Sequence, residues 1–115
     1  MNYPIQHGYL YLADLNPRIG SESGKIRPVL VIQTNYLNSV QHPSTWILPC
    51  TTKLTEENIL RVRLEKGIAE NLEACEIMID QSRSIDNQRF RKALGQMPKA
   101  LLNEVKEKLR LLADL

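Results

Sequence analysis

The stretch "GYLYLADLNPRIGSESGKIRPVLVIQ", residues 8–33, decides the fold. Its first seven residues alternate, Leu10 and Leu12 on one face and Tyr9, Tyr11 and Ala13 on the other, which is strand periodicity. Its end, "PVLVIQ" (28–33), is a continuous apolar run of strand length. Between them lies a polar loop in which Gly20 and Gly24 permit tight bending, with Ser21, Glu22 and Ser23 between the glycines. Arg27 precedes Pro28, so its backbone is pushed toward extended geometry and its side chain is set at the point where loop becomes strand.

Working outward, the same short β-like runs recur. "TWILPC" (45–50) is apolar throughout; "LRVRLE" (60–65) turns Leu60, Val62 and Leu64 inward against Arg61 and Arg63. "CEIMID" (75–80) sets Cys75, Ile77 and Ile79 against outward Glu76, Met78 and Asp80, and "RKALGQM" (91–97) is a weaker sixth strand. "TNYLN" (34–38) reads as a brief helical turn. In "PKALLNEVKEKLRLLADL" the period changes: Leu102, Val105, Leu109 and Leu112 form one apolar stripe of a helix, with Pro98 in its first turn. Lys106, Lys108 and Arg110 occupy its later half, where cations complement the helix dipole. Strands over about residues 1–97 and a helix over about 98–113 imply one mainly β domain, a small bent sheet or barrel covered by a C-terminal helix.

Composition adds bounds rather than direction. The 115 residues carry a net charge of +2 spread evenly along the chain, too mild to announce nucleic acid by itself. No apolar run approaches the roughly 18 residues of a membrane helix, and Asp14 interrupts the apolar N-terminal stretch, so neither a span nor a signal peptide is expected. Cys50 and Cys75 read as buried thiols of a cytoplasmic protein, with no support for a disulfide. With only His7 and His42, no zinc site is assembled, and no metal or other cofactor is expected.

Three clusters could carry chemistry. Arg27, fixed by Pro28 beside a glycine-flanked loop, could grip a phosphate with two prongs of its guanidinium. "PCTTK" (49–53) brings Thr51, Thr52 and Lys53 out where strand gives way to loop, offering hydroxyls and an amine to phosphate oxygens. "IDQSRSIDNQRF" (79–90) presents Asp80, Gln81 and Arg83, with Asp86 as the N-cap of a short turn through Asn87–Phe90. Taken singly, each is also ordinary turn chemistry: a surface arginine, a strand-end turn, an Asp80–Arg83 ion pair.

Their order and spacing carry more. "GYLYLADLNPRIGSESGKIRPVLVIQ", "PCTT", "MIDQSRSID" and "LGQMPKALLNEVKEKL" together resemble the MazF/PemK family of toxin endoribonucleases from bacterial toxin–antitoxin systems, across almost the whole chain. The resemblance implies an SH3-like small β-barrel of the MazF/Kid/CcdB toxin type with a C-terminal helix, working as a homodimer. It implies metal-independent cleavage of single-stranded RNA to 2′,3′-cyclic phosphate and 5′-hydroxyl ends. It further implies neutralisation by a MazE-like antitoxin, with DNA binding by the toxin–antitoxin complex.

By matching position, Arg27 would stabilise the charged pentavalent phosphorane and Thr51 would hydrogen-bond the scissile phosphate. Ser21 and Glu22 occupy the loop that shapes the site, and Asp80 and Gln81 fall where some members place an acidic residue beside RNA. Thr52, Lys53 and Arg83 complete the expected RNA-binding set. The chain departs from some members at Ser21, where they carry His, at Met78, where they carry Arg, and at Tyr9, where an acidic residue is usual. Tyr9, Tyr36 and Trp46 are candidate base stackers, with core packing expected of Trp46. Two rival readings share the scaffold: a gyrase-poisoning toxin of the related fold, for which Arg27 and Thr51 have no use, and a decayed homologue that binds RNA or antitoxin without cutting.

Overall fold

The computed structural model describes residues 3–17, 19–21 and 24–115. Among the described residues, seven strands run in chain order: β1 Tyr9–Asp14, β2 Ile26–Val31, β3 Ser44–Thr51, β4 Arg61–Leu64, β5 Cys75–Met78, β6 Arg83–Asp86 and β7 Phe90–Gln96. One helical turn, α1 (Asn35–Asn38), follows β2, and the helix α2 (Lys99–Ala113) ends the chain. All described pairings are antiparallel, in the order β4-β5-β3-β2-β1-β7, with β6 added alongside β3. β3 organises the sheet because it is long enough to serve three partners. Its first half pairs with β6, its middle with β2 and its last two residues with β5. Register shifts in the β1–β7 pairing mark irregularities that bend the sheet toward a barrel.

The central strands are buried on both faces, so their apolar runs need not alternate. One core gathers Leu10, Leu30, Leu48, Val62, Leu64 and Ile77 under the helix residues Leu102, Val105 and Leu109. The other gathers Tyr11, Ala13, Val29, Val31, Ile47, Ile85 and Phe90, closed over by Tyr3, Ile5 and Tyr9. Tyr11 is at the centre of this second core: its ring stacks on Tyr3 and meets Phe90 edge-on, while its hydroxyl donates to the Pro4 carbonyl. Of the helix stripe, Leu112 remains 47% exposed, because α2 runs past the sheet it covers.

Several expectations are corrected. Pro98 stands just before the helix rather than inside it. β5 stops at Met78, and Ile79–Gln81 is a 3₁₀ turn, so Asp80 does not lie on a strand. Residues 83–86 form a strand that the sequence pattern did not mark, held by β3 partners Ser44 to Ile47. The Asp86 cap is present, its carboxylate accepting from the Gln88 N–H. Glu76 and Met78, expected to point outward, are buried at 3% and 6% exposure. Trp46, expected in the core, is 43% exposed.

Candidate active site

β2 and β3 bring the first two clusters together. Val29 faces Pro49 and Leu30 faces Leu48 across the ladder, and continuing that register sets Arg27 level with Thr51. Both residues line a cleft of about 1000 Å³, together with Ser21, Gly24, Lys25, Thr52, Lys53 and Arg61. The Arg27 guanidinium is clamped from two sides: Nε donates to the Gly24 carbonyl at 2.8 Å and Nη1 to the Cys50 carbonyl at 3.2 Å. A planar fork fixed in this way presents a positive charge at a set place and angle.

Thr51 Oγ1 accepts the Lys53 N–H at 3.1 Å, a local turn that ends the strand and orients the hydroxyl. Its own proton remains available to donate. The loop preceding Arg27 is stapled at its base. Asn16 Oδ1 accepts the Lys25 N–H at 2.8 Å, Leu15 N–H donates to the Lys25 carbonyl at 2.8 Å, and Arg89 donates to the carbonyls of Asp14 and Asn16. Gly20 takes φ +58°, the left-handed geometry that the glycine at this position accommodates without strain. Glu22 lies outside the described residues.

The third cluster is placed elsewhere. Asp80, Gln81 and Arg83 do not line this cleft within one chain. No Asp80–Arg83 ion pair forms among the described residues. Arg83 lies opposite Ile47 on β6, and its Nη1 is buried without a hydrogen-bond partner among the described residues. Of the aromatic candidates, Tyr36 is 87% exposed beside a second, shallower hollow lined by His7, Ile32 and Asn35.

The structure also adds groups that the sequence reading passed over. Arg61 lines the cleft, and it and Arg63 both pair with Glu76, at 3.1 and 3.2 Å. Burial alone would raise the Glu76 carboxyl. The Thr55 backbone N–H, the Thr55 hydroxyl and the two arginines outweigh it, and Glu76 titrates below its usual range. The signal was readable in principle: outward arginines on one strand and an outward glutamate on the next form a cross-strand charge pair once the strands are neighbours. Cys50 and Cys75, both free and buried, lie at the wall of the cleft.

A bent antiparallel sheet capped by a helix, with a clamped arginine and a threonine hydroxyl sharing one cleft, defines a mainly β protein whose cleft offers a fixed cation and a hydroxyl donor. Comparison with known proteins assigns the family. The family described as "PemK-like, MazF-like toxin of type II toxin-antitoxin system" matches residues 6–113, and the chain belongs to it. The endoribonuclease MazF of Staphylococcus saprophyticus is 31% identical over 102 residues, covering 88% of this chain and 84% of that one. Among solved structures, MazF from Deinococcus radiodurans superposes with a TM-score of 0.85 at 26% identity, over 99% of this chain and 100% of that one. The toxin chain of a MazE–MazF complex from the same organism has a TM-score of 0.78 at 26% identity, over 99% of each chain.

Proposed function

We propose that this protein is a toxin endoribonuclease that cleaves single-stranded RNA at the Arg27–Thr51 cleft. RNA carries its own nucleophile. The 2′-oxygen attacks the adjacent phosphorus as the P–O5′ bond breaks, leaving a 2′,3′-cyclic phosphate and a 5′-hydroxyl. The 2′-proton leaves as the nucleophile forms, and the departing 5′-oxygen takes one up. The protein must hold the linkage in line and stabilise charge on the phosphorane. Arg27 meets the equatorial oxygens and Thr51 donates its hydroxyl to one of them. Thr52 and Lys53, exposed on the same rim, hold a flanking phosphate, and Ser21 shapes the loop side of the cleft.

The observation that carries this reading is the double clamp on Arg27, which fixes a cation over the cleft that Thr51 also lines. The name of the Staphylococcus relative supports the activity, and the Deinococcus complex supports an antitoxin of MazE type as its partner. The chain acts as one domain in a homodimer whose two copies share an RNA-binding groove, and Asp80, Gln81 and Arg83 contact RNA farther along that groove. It works in the cytoplasm, where its RNA substrate is found.

Incubating the protein with a mixed-sequence RNA in EDTA tests the reading. Discrete cleavage is expected, with an all-DNA strand of the same sequence left intact. Replacing the 2′-hydroxyl at the cut linkage by hydrogen should abolish cutting there; cleavage of that substituted linkage would overturn the mechanism. An uncut RNA would favour the decayed homologue, and inhibition of gyrase without RNA cleavage the gyrase-poisoning alternative.

A further inference from the structure

The sheet aligns four side chains in one transverse row. Arg27 is level with Thr51 by register, Thr51 is paired with Glu76 across the β3–β5 ladder, and Glu76 is paired with Arg63 across β5–β4. Residues directly opposite in antiparallel strands share a face, so the buried Glu76 carboxylate stands beside Thr51 on the side away from Arg27. After Thr51 the chain leaves the sheet, and Thr52, Lys53 and Leu54 are exposed with no regular structure. It is caught again at Thr55, whose N–H donates to Glu76 Oε2 and whose hydroxyl donates to Oε1, both at 3.0 Å.

We propose that Glu76 is a positioning residue for the site, fixing the Thr51–Thr55 turn and through it the place of the Thr51 hydroxyl. The inference rests on the reading of Arg27 and Thr51 as the phosphate site. Glu76 does not act as the general base. Its two oxygens already accept four hydrogen bonds, from Thr55 N, Thr55 Oγ1, Arg61 and Arg63, which fills a carboxylate's lone-pair sites. A bare carboxylate so near a phosphate would repel it. Two guanidiniums on one carboxylate leave the group net positive, and Arg61 lines the cleft itself. A turn tied only at Thr51 would sample many conformations, and small misplacements of a reacting partner are expensive in rate.

Turnover of a single-site RNA by Glu76→Gln, Thr51→Ala and the double variant tests this. Glu76→Gln, folded by circular dichroism, should lower kcat by roughly ten- to a hundredfold with KM little changed. The double variant should be no slower than Thr51→Ala, because Glu76 acts through that residue. Losses that multiply, or a folded Glu76→Gln protein with wild-type kcat, would overturn the inference. Should Glu76→Gln not fold, Thr55→Val removes one hydroxyl donor and keeps the backbone N–H. It should lose activity severalfold in the wild-type background and none in Thr51→Ala, and equal losses in both would overturn the inference. If Thr51→Ala itself cleaves at wild-type rate, what falls is the assignment of Thr51, a result distinguishable from wild-type kcat in Glu76→Gln alone.

Discussion

Arg27 on β2 donates across to the backbone carbonyl of Cys50 on β3, 3.2 Å away, so the cation over the cleft is fastened to the strand that ends in Thr51. Its second tie, to the Gly24 carbonyl, fastens it to the loop as well. One side chain therefore joins loop, strand and cleft.

Replacing Arg27 should separate activity from folding. Arg27→Ala is expected to lower kcat by about two orders of magnitude or more, the effect of losing one preorganised charge donor. Two hydrogen bonds to backbone carbonyls are lost with it, so a stability decrease of roughly 1–3 kcal/mol in urea unfolding should accompany the change. Arg27→Lys should not restore turnover, since one ammonium cannot span both carbonyls and still meet a phosphate in planar geometry. Wild-type cleavage by a folded Arg27→Ala protein would sink the site assignment.

The thiols should be inert while the protein is folded. The neighbouring Cys75 side chain and burial hold Cys50 well above the usual thiol value; the same neighbour lowers Cys75, which burial keeps from reagent. Neither sulfur is accessible at residue level. Reaction with a thiol reagent at pH 7 should be slow for native protein and should rise to two equivalents in denaturant. Rapid native labelling would show that the strands open at the cleft.

Glu76 should make stability depend on acid. Its folded carboxyl titrates below the ordinary 4.5, so the unfolded chain takes up the proton more readily. That contribution is complete above the unfolded value and fades as pH falls through the lower, folded one. Urea unfolding from about pH 6 down to pH 3 should show a steeper loss for wild type than for Glu76→Gln. Parallel curves would mean that Glu76 does not contribute.

The sequence made β1 to β3 legible because their residues are apolar at strand length, whichever face they occupy. The helix was legible from the spacing of Leu102, Val105 and Leu109, which do pack on the core. β6 was hidden because "RSID" offers a single core residue, Ile85, and its strand identity comes from pairing with Ser44 to Ile47, forty residues earlier. Glu76 was misplaced for a related reason. Alternation turns it away from the first core, but Arg61, Arg63 and Thr55 then cover it, and no local pattern reports a cover that arrives from other segments. The Arg27–Thr51 pairing was legible as order along the chain, while the carbonyl clamps that aim the guanidinium are backbone contacts no side-chain pattern encodes.

The loop's base makes a last prediction. Asn16 accepts the Lys25 N–H, and Arg89, arriving from the turn before β7, holds the Asp14 and Asn16 carbonyls from the other side. Lys25 itself sits at φ +68°, a left-handed geometry that a lysine keeps only when its surroundings enforce it. Asn16→Ala removes the side-chain acceptor and leaves the Lys25 N–H to solvent, at a stability cost of about 1 kcal/mol. The core is untouched, so melting should shift by only a few degrees. Locally the change should be larger: the bond after Lys25 becomes a better trypsin substrate, because a protease needs the chain extended and the staple opposes that. Turnover should fall with it, since Gly24, the neighbour of Lys25, carries the carbonyl that grips Arg27. Limited trypsinolysis followed by mass spectrometry, alongside RNA turnover, reads both effects on one preparation. Faster cutting after Lys25 with unchanged turnover would mean that the loop's base does not aim the arginine.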